Sequence, residues 1–263
     1  MVVEKVVVLG AGVMGVGITQ SLAISGFSAV CMDISETAVD RAESLLLNGR
    51  FGLMSALERR IISESDFECA RSRVTMKIFD EGELEGADLV IEAIPENLAM
   101  KIDLFLTIDS LMSQQAILAS NTSGFSIEGL AACTSRPSRV VGWHWASPPP
   151  VMKFAEIVKH AKSDPEVIRV VVEVASKCGK HPIVVNDQPR AWGFVANRVY
   201  FAMIAEAKRV VEEDIVAAHE LDKLMVDCFG WPIGPLAMEA NAHLGWEMSS
   251  TDVAVAEQMF ESG

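Results

Sequence analysis

At 263 residues, half of them hydrophobic, the chain is too apolar for intrinsic disorder and long enough for one large domain or two unequal ones. Its net charge of -14, from 22 basic and 36 acidic side chains, speaks against a charge-driven grip on nucleic acid or an anionic membrane. Five scattered cysteines without a C-x-x-C pair speak against a disulfide framework or a structural zinc site, and predict a cytoplasmic protein with no bound metal.

No leader is expected, because residues 5–9 already read as a buried strand. No uninterrupted apolar run reaches membrane-spanning length. The mean hydropathy is nevertheless positive, and so much apolar surface on a chain of this size predicts burial between subunits, with a homodimer as the expected assembly.

In chain order, short runs rich in Val, Ile and Leu alternate with longer helical patterns. That alternation marks a mostly parallel sheet covered on both faces, an α/β fold of the doubly wound, Rossmann type. Strands are predicted at 6–9, 29–32, 74–78, 89–92, 117–120 and 140–143, with two more apolar runs at 154–158 and 182–185. Between the last two, Val167, Val170, Val171 and Val174 keep helical spacing. The long link at 35–62 is compatible with two surface helices or with a helical hairpin projecting over a ligand. After residue 194 the strands stop. Val199, Met203, Ala207 and Val210 have helical spacing, and a second helix is expected at 221–229. The turn-forming stretch Asn186-Asp187-Gln188-Pro189-Arg190 divides the chain into a nucleotide-binding domain (1–186) and a smaller all-helical substrate and dimerisation domain (187–263).

Gly10-Ala11-Gly12-Val13-Met14-Gly15 matches G-x-G-x-x-G directly after a strand and before a helix. There the first Gly permits a tight turn, the second lets a pyrophosphate reach the backbone, and the third lets helix pack on strand. The helix N-terminus adds free amides and the positive end of its dipole. Asp33 ends the second strand, where its carboxylate would accept from both adenosine ribose hydroxyls and repel a 2′-phosphate, so NAD is the predicted cofactor. The competing reading is that Asp33 helps Ser35 cap the next helix.

Three further segments bear on the chemistry. Ser120-Asn121-Thr122-Ser123-Gly124 follows a strand at the carboxyl edge of the sheet, where it would contact nicotinamide or a substrate oxygen, or else form a capping turn. In Trp143-His144-Trp145-Ala146-Ser147-Pro148-Pro149-Pro150 a histidine ends a strand at the same edge, suited to taking a proton from an alcohol. A lone histidine there also reads as a core residue. Glu156 shifts the balance, because neighbouring strands would set its carboxylate against the imidazole and stabilise the charged ring. Asn197, in Gly193-Phe194-Val195-Ala196-Asn197-Arg198, reads as an ordinary helix residue or as an amide donor to a substrate carbonyl. His160, His181, His219 and His243 read as surface or packing residues.

Together these segments, with Glu92-Ala93-Ile94-Pro95-Glu96-Asn97-Leu98, Lys101, Val151-Met152-Lys153 and Gly230-Trp231-Pro232-Ile233-Gly234-Pro235, resemble the 3-hydroxyacyl-CoA dehydrogenase family in its order and over nearly the whole chain. The resemblance implies that His144 takes the 3-hydroxyl proton as hydride leaves for NAD, that Glu156 supports the ring, and that Ser123 and Asn197 hold the reacting oxygen. It places Gly10, Gly12, Val13, Met14, Gly15, Asp33, Ala93, Glu96, Lys101, Asn121 and Ser123 at the cofactor. It also implies an acyl-CoA substrate, with residues 35–62 as a clamp and Arg59 or Arg60 as phosphate partners.

The chain departs from the family's pattern in three places. His144-Trp145-Ala146-Ser147-Pro148 stands where His-Phe-Phe-Asn-Pro is usual, extra residues around Trp192 precede Gly193, and the chain stops short of the usual C-terminal segment, so a small or truncated second domain is expected. Two alternatives follow: a dehydrogenase of a CoA-free hydroxy acid, such as a sugar acid or carnitine-like acid held by Lys153, Arg190 or Arg198, or an NAD-binding protein with little catalysis.

Overall fold

The structure is a computed structural model that describes residues 1–189 and 191–242. Eight strands form one sheet: β1 (Lys5–Leu9), β2 (Ser28–Asp33), β3 (Val74–Ile78), β4 (Leu89–Glu92), β5 (Ile117–Ser120), β6 (Val140–Trp145), β7 (Phe154–Lys159) and β8 (His181–Asn186). All eight coincide with the predicted runs to within two residues, and their order in the sheet is β3-β2-β1-β4-β5-β6-β7-β8. From β1 the chain winds outward in one direction through β2 and β3 and in the other through β4, β5 and β6. The winding therefore reverses between β1 and β4, and the crevice beyond their carboxyl ends is where such sheets bind ligands.

Residues alternate between the two faces. Val6, Val8, Ala29, Cys31, Leu89 and Ile91 enter one core, while Val7, Leu9, Val30, Met32 and Val90 enter the other. The first core also holds α1 (Val13–Ile24), whose residues 15–23 are all buried. Helix α8 (Pro165–Lys177) buries Val167, Val170, Val171 and Val174 there, as its spacing predicts. Long crossovers keep the strands parallel. The link from β6 to β7 is a tight turn over residues 146–153, too short for a crossover helix, so this one pair is antiparallel.

The long link after β2 contains α2 (Glu36–Asn48) and α3 (Leu53–Glu58), followed by α4 (Glu64–Arg73). Ala42, Leu46, Leu53, Phe67 and Ala70 join the first core, so these helices are anchored on the sheet domain. Helix α4 is not among the predicted elements, although Ser63 and Asp66 form a capping box at its start. Shorter helices α5 (Glu81–Glu85) and α7 (Ile127–Ala131) flank α6 (Leu98–Asp109) in chain order.

Two compact units divide between Phe194 and Val195, eight residues beyond the predicted boundary. The intervening segment stays with the sheet. Asp187 accepts from the Ser126 hydroxyl (2.9 Å) and the Glu128 amide (2.8 Å), the Gly193 amide donates to Gly124 (3.3 Å), and Phe194 is buried in the second core. The second unit is helical in its described part: α9 (Val195–Glu212), α10 (Ala218–Phe229) and α11 (Pro235–Ala242). Gly230 ends α10 in the left-handed region, and Asp222 accepts from the Leu236 and Ala237 amides at the start of α11. Among the described residues, no helix is long and apolar enough to cross a membrane.

Candidate active site

The glycine-rich turn joins β1 to α1 at the reversal of the sheet. Gly10 has φ +106°, and a Cβ there would lie 2.6 Å from the Ala93 carbonyl oxygen, so the turn is pressed against the end of β4. At Gly15 a Cβ would come within 1.8 Å of the Gly10 carbonyl oxygen, so helix and turn touch through backbone. A Cβ at Gly12 would meet nothing within 4 Å. That open space adjoins the N-terminus of α1, where Gly12 supplies no side-chain cap and the first amides, on Val13 and Met14, have no intrahelical acceptor. Asp33 closes the other side. One carboxylate oxygen accepts from the Ala11 amide (2.8 Å) and the other from the Ser35 amide (3.1 Å). Ser35 in turn caps α2, so Asp33 braces both the glycine turn and the helix start, and each oxygen keeps a lone pair for a ribose hydroxyl. This donor set fits a dinucleotide: free amides for the pyrophosphate and a carboxylate for the ribose.

Beside this turn a charged network ties β4 to β5. Glu92 is fully buried and Lys101 is 1% exposed, with their charged atoms 2.5 Å apart. Lys101 also donates to the Ile94 carbonyl (3.2 Å) and lies 3.2 Å from Glu96. Glu92 accepts from the Ser120 hydroxyl (2.6 Å) and the Ile94 amide (2.9 Å). Burial pushes the Glu92 carboxyl above the usual carboxylate range, against the pull of Lys101 and these donors. Glu96 accepts from the Thr122 hydroxyl (2.6 Å) and the Ser123 amide (2.9 Å). The network thus fixes the turn carrying Asn121, Thr122 and Ser123. Lys101, expected beside the cofactor, reaches this turn through Glu96 from a buried position.

His144 lies on β6 directly across from Glu156 on β7. Trp143, Trp145, Ala155 and Ile157 face the first core, so His144 and Glu156 share the opposite face of the sheet. Nδ1 of His144 lies 2.8 Å from Oε2 of Glu156, and the residues are 6% and 3% exposed. Phe154 meets the imidazole edge-on, with ring centroids 5.3 Å apart, and Phe194 lies at 5.9 Å. Asn121 contributes from β5 by accepting the Trp145 amide at 3.0 Å through its side-chain oxygen. The β5–β6 pairing ends at Ser120 and Gly142, so this side chain extends it to the residue after the histidine.

Lys180, just before β8, holds the turn that follows His144. Its ammonium donates to the carbonyls of Pro149 (2.5 Å) and Met152 (2.8 Å) and lies 5.0 Å from the centroid of the Trp145 ring. Burial pushes it down to about 8. The same turn meets α1, where a Cβ on Gly17 would lie 2.9 Å from Pro149.

The structure therefore brings together Gly10, Gly12, Gly15, Asp33 and Ala93 in one cradle, Glu96, Lys101, Asn121 and Ser123 in the adjoining network, and His144 with Glu156. Asn197 lies in the first turn of α9 in the second unit. Arg59 follows α3, and Arg60 beside it has φ +59°. His160 is buried, with its Nε2 3.0 Å from the Pro137 carbonyl, a packing residue as expected. Arg190 and His243 lie outside the described residues. Sequence reasoning gave no separate role to Glu92 or Lys180. A carboxylate ending an otherwise apolar strand could have flagged the first; nothing local marks the second.

The family model described as 3-hydroxyacyl-CoA dehydrogenase, NAD binding domain, matches residues 5–188, and that of the C-terminal domain matches residues 193–262. The chain is 38% identical to a probable 3-hydroxybutyryl-CoA dehydrogenase of Bacillus subtilis over 90% of this chain and 80% of that protein. It is 35% identical to the 5-formyl-3-hydroxy-2-methylpyridine 4-carboxylate 5-dehydrogenase of Mesorhizobium japonicum, over 88% of this chain and 71% of that one. Among solved structures, the (S)-3-hydroxybutyryl-CoA dehydrogenase of Ralstonia eutropha superposes with a TM-score of 0.84 at 34% identity, covering 90% of this chain and 81% of that one.

Proposed function

We propose that this chain, which belongs to the 3-hydroxyacyl-CoA dehydrogenase family, interconverts 3-hydroxyacyl-CoA and 3-oxoacyl-CoA, with His144 as the general base and acid. It is an NAD-dependent dehydrogenase. When bound, NAD supplies the hydride acceptor. The contact between His144 and Glu156 carries the residue assignment. With Nδ1–H donated to the carboxylate, the lone pair lies on Nε2, the nitrogen that takes the 3-hydroxyl proton as the alcohol becomes a carbonyl. Glu156 fixes that tautomer and offsets the positive charge that His144 acquires. In the reverse direction Nε2 returns the proton to the carbonyl oxygen. Gly10, Gly12, Val13, Met14, Gly15 and Asp33 hold the cofactor backbone and ribose, and Glu96 with Lys101 orders the Ser123 turn beside them. Arg59 or Arg60 is the proposed partner of the CoA phosphates.

The test is His144→Gln assayed with acetoacetyl-CoA and NADH. Turnover is expected to fall by roughly 10²- to 10⁴-fold with NADH affinity near that of the parent. Unchanged turnover removes His144 from the mechanism.

A second reading, a substrate without CoA, is favoured by the resemblance to the pyridine carboxylate dehydrogenase. Here Lys153 or Arg198 would pair with the substrate carboxylate. Activity on free hydroxy acids and none on acetoacetyl-CoA selects it. Exposed apolar side chains on the helical unit, among them Val199, Phe201, Leu224 and Phe229, support a homodimer, which sedimentation checks. The free thiols at Cys31, Cys69, Cys133, Cys178 and Cys228 support a reducing, cytoplasmic setting.

A further inference from the structure

The turn between His144 and Glu156 contains Pro148, Pro149 and Pro150, none of which has an amide N–H. Within it the Val151 and Met152 amides donate to Pro148, and at its end the Lys153 carbonyl accepts from the amide of His181, the residue after Lys180. The carbonyls of Pro149 and Met152 are instead held by a side chain from a different part of the chain, the Lys180 ammonium at 2.5 and 2.8 Å. That ammonium also faces the ring of Trp145, the residue after His144. An ammonium with 6% of its residue exposed is costly to desolvate, and an apolar side chain would fill the same space at lower cost. What the charge adds is a directed grip on two carbonyls and one ring. The turn is also packed against Gly17 of α1, the helix that begins at the glycine-rich turn.

We infer that Lys180 is a positioning residue for the reaction: by gripping the 146–153 turn, which also packs on α1, it sets His144 relative to the cofactor cradle. The inference rests on the assignment of His144 as the base. Lys180 need not touch substrate; it fixes where Nε2 stands, and a displacement of about 1 Å in a reacting group can slow a reaction on the order of 100-fold.

A double-mutant cycle tests this, with hydride transfer followed in single turnovers of acetoacetyl-CoA and NADH, and NADH affinity measured separately by fluorescence. Lys180→Met is expected to slow hydride transfer at least tenfold in the parent and less than twofold in the His144→Gln background, with NADH affinity within twofold throughout. An equal loss in both backgrounds, or a matching loss of NADH affinity, overturns the inference, because a merely structural lysine would lower both alike. If Lys180→Met does not fold, Lys180→Gln, which retains an amide donor, is carried through the same cycle with the same criteria. Should His144→Gln itself leave the rate unchanged, the assignment of the base fails. If that variant is slow and the two losses are equal, only the role of Lys180 fails.

Discussion

His144 and Glu156 occupy directly paired positions of the antiparallel β6–β7 ladder, with Nδ1 and Oε2 2.8 Å apart and both side chains buried. They are twelve positions apart in sequence, and the tight proline turn brings them onto one face. In Glu156→Gln the amide nitrogen can donate to Nδ1 and so favour the tautomer with its proton on Nε2, the wrong one for a base. The expected fall in kcat is about 10²- to 10⁴-fold, with NADH affinity unchanged, read from NADH absorbance and fluorescence titration. A kcat within threefold of the parent would show that the carboxylate does not act on the ring.

Gly10 and Gly12 lie in the same turn and make opposite demands. At Gly10 the backbone has φ +106° and a Cβ collides with Ala93, so Gly10→Ala is expected to lower stability by about 1–3 kcal/mol in urea denaturation. At Gly12 there is room for a methyl group in the free protein. Gly12→Ala is therefore expected to leave the melting temperature unchanged and to weaken NAD binding at least tenfold, because the methyl takes the place of the pyrophosphate. Equal NAD affinity in Gly12→Ala would contradict the placement of the cofactor.

Lys101→Met removes the cation from a fully buried carboxylate and should destabilise the protein by about 3–5 kcal/mol at neutral pH. Burial already raises the Glu92 carboxyl above its unfolded value. A group raised in this way contributes stability below its unfolded pKa and loses it as pH climbs through the folded one. The variant lacks the ammonium that opposes the rise, so its deficit should shrink on acidification as Glu92 takes up a proton. Adding Glu92→Gln should recover much of the loss at neutral pH. Urea midpoints across a pH series check both points.

Asp33→Ser removes the carboxylate that would repel a 2′-phosphate and that also braces Ala11 and Ser35. The expected result is about a tenfold lower kcat/KM with NAD and a higher ratio of NADP to NAD activity, measured under matched conditions. A ratio that does not move would leave Asp33 a brace alone.

Much of this architecture is legible locally. Each of the eight strands announces itself as a short apolar run, and α8 by the valine spacing that its one buried face imposes. The glycine turn is legible because Gly10 and Gly15 answer to backbone geometry close in sequence. Helix α4 was missed because its face is mostly polar, with only Phe67 and Ala70 buried. The domain boundary fell later than the turn-forming residues suggest, because Asp187 and Phe194 are held by partners 59 or more residues away in one case and by the second core in the other.

The doubly wound sheet and the dinucleotide cradle are legible in periodicity, turn chemistry and motif spacing, and the strand order makes a meeting of His144 with Glu156 an expectation that the fold then meets. Long-range packing is what buries Lys101 between Glu92 and Glu96, brings the Asn121 side chain to the Trp145 amide and lets Lys180 grip the proline turn. These side chains come from different strands and loops. Whether a lysine is a solvated surface charge or a desolvated clamp depends on which distant carbonyls, carboxylates and rings surround its nitrogen, and no local pattern encodes that.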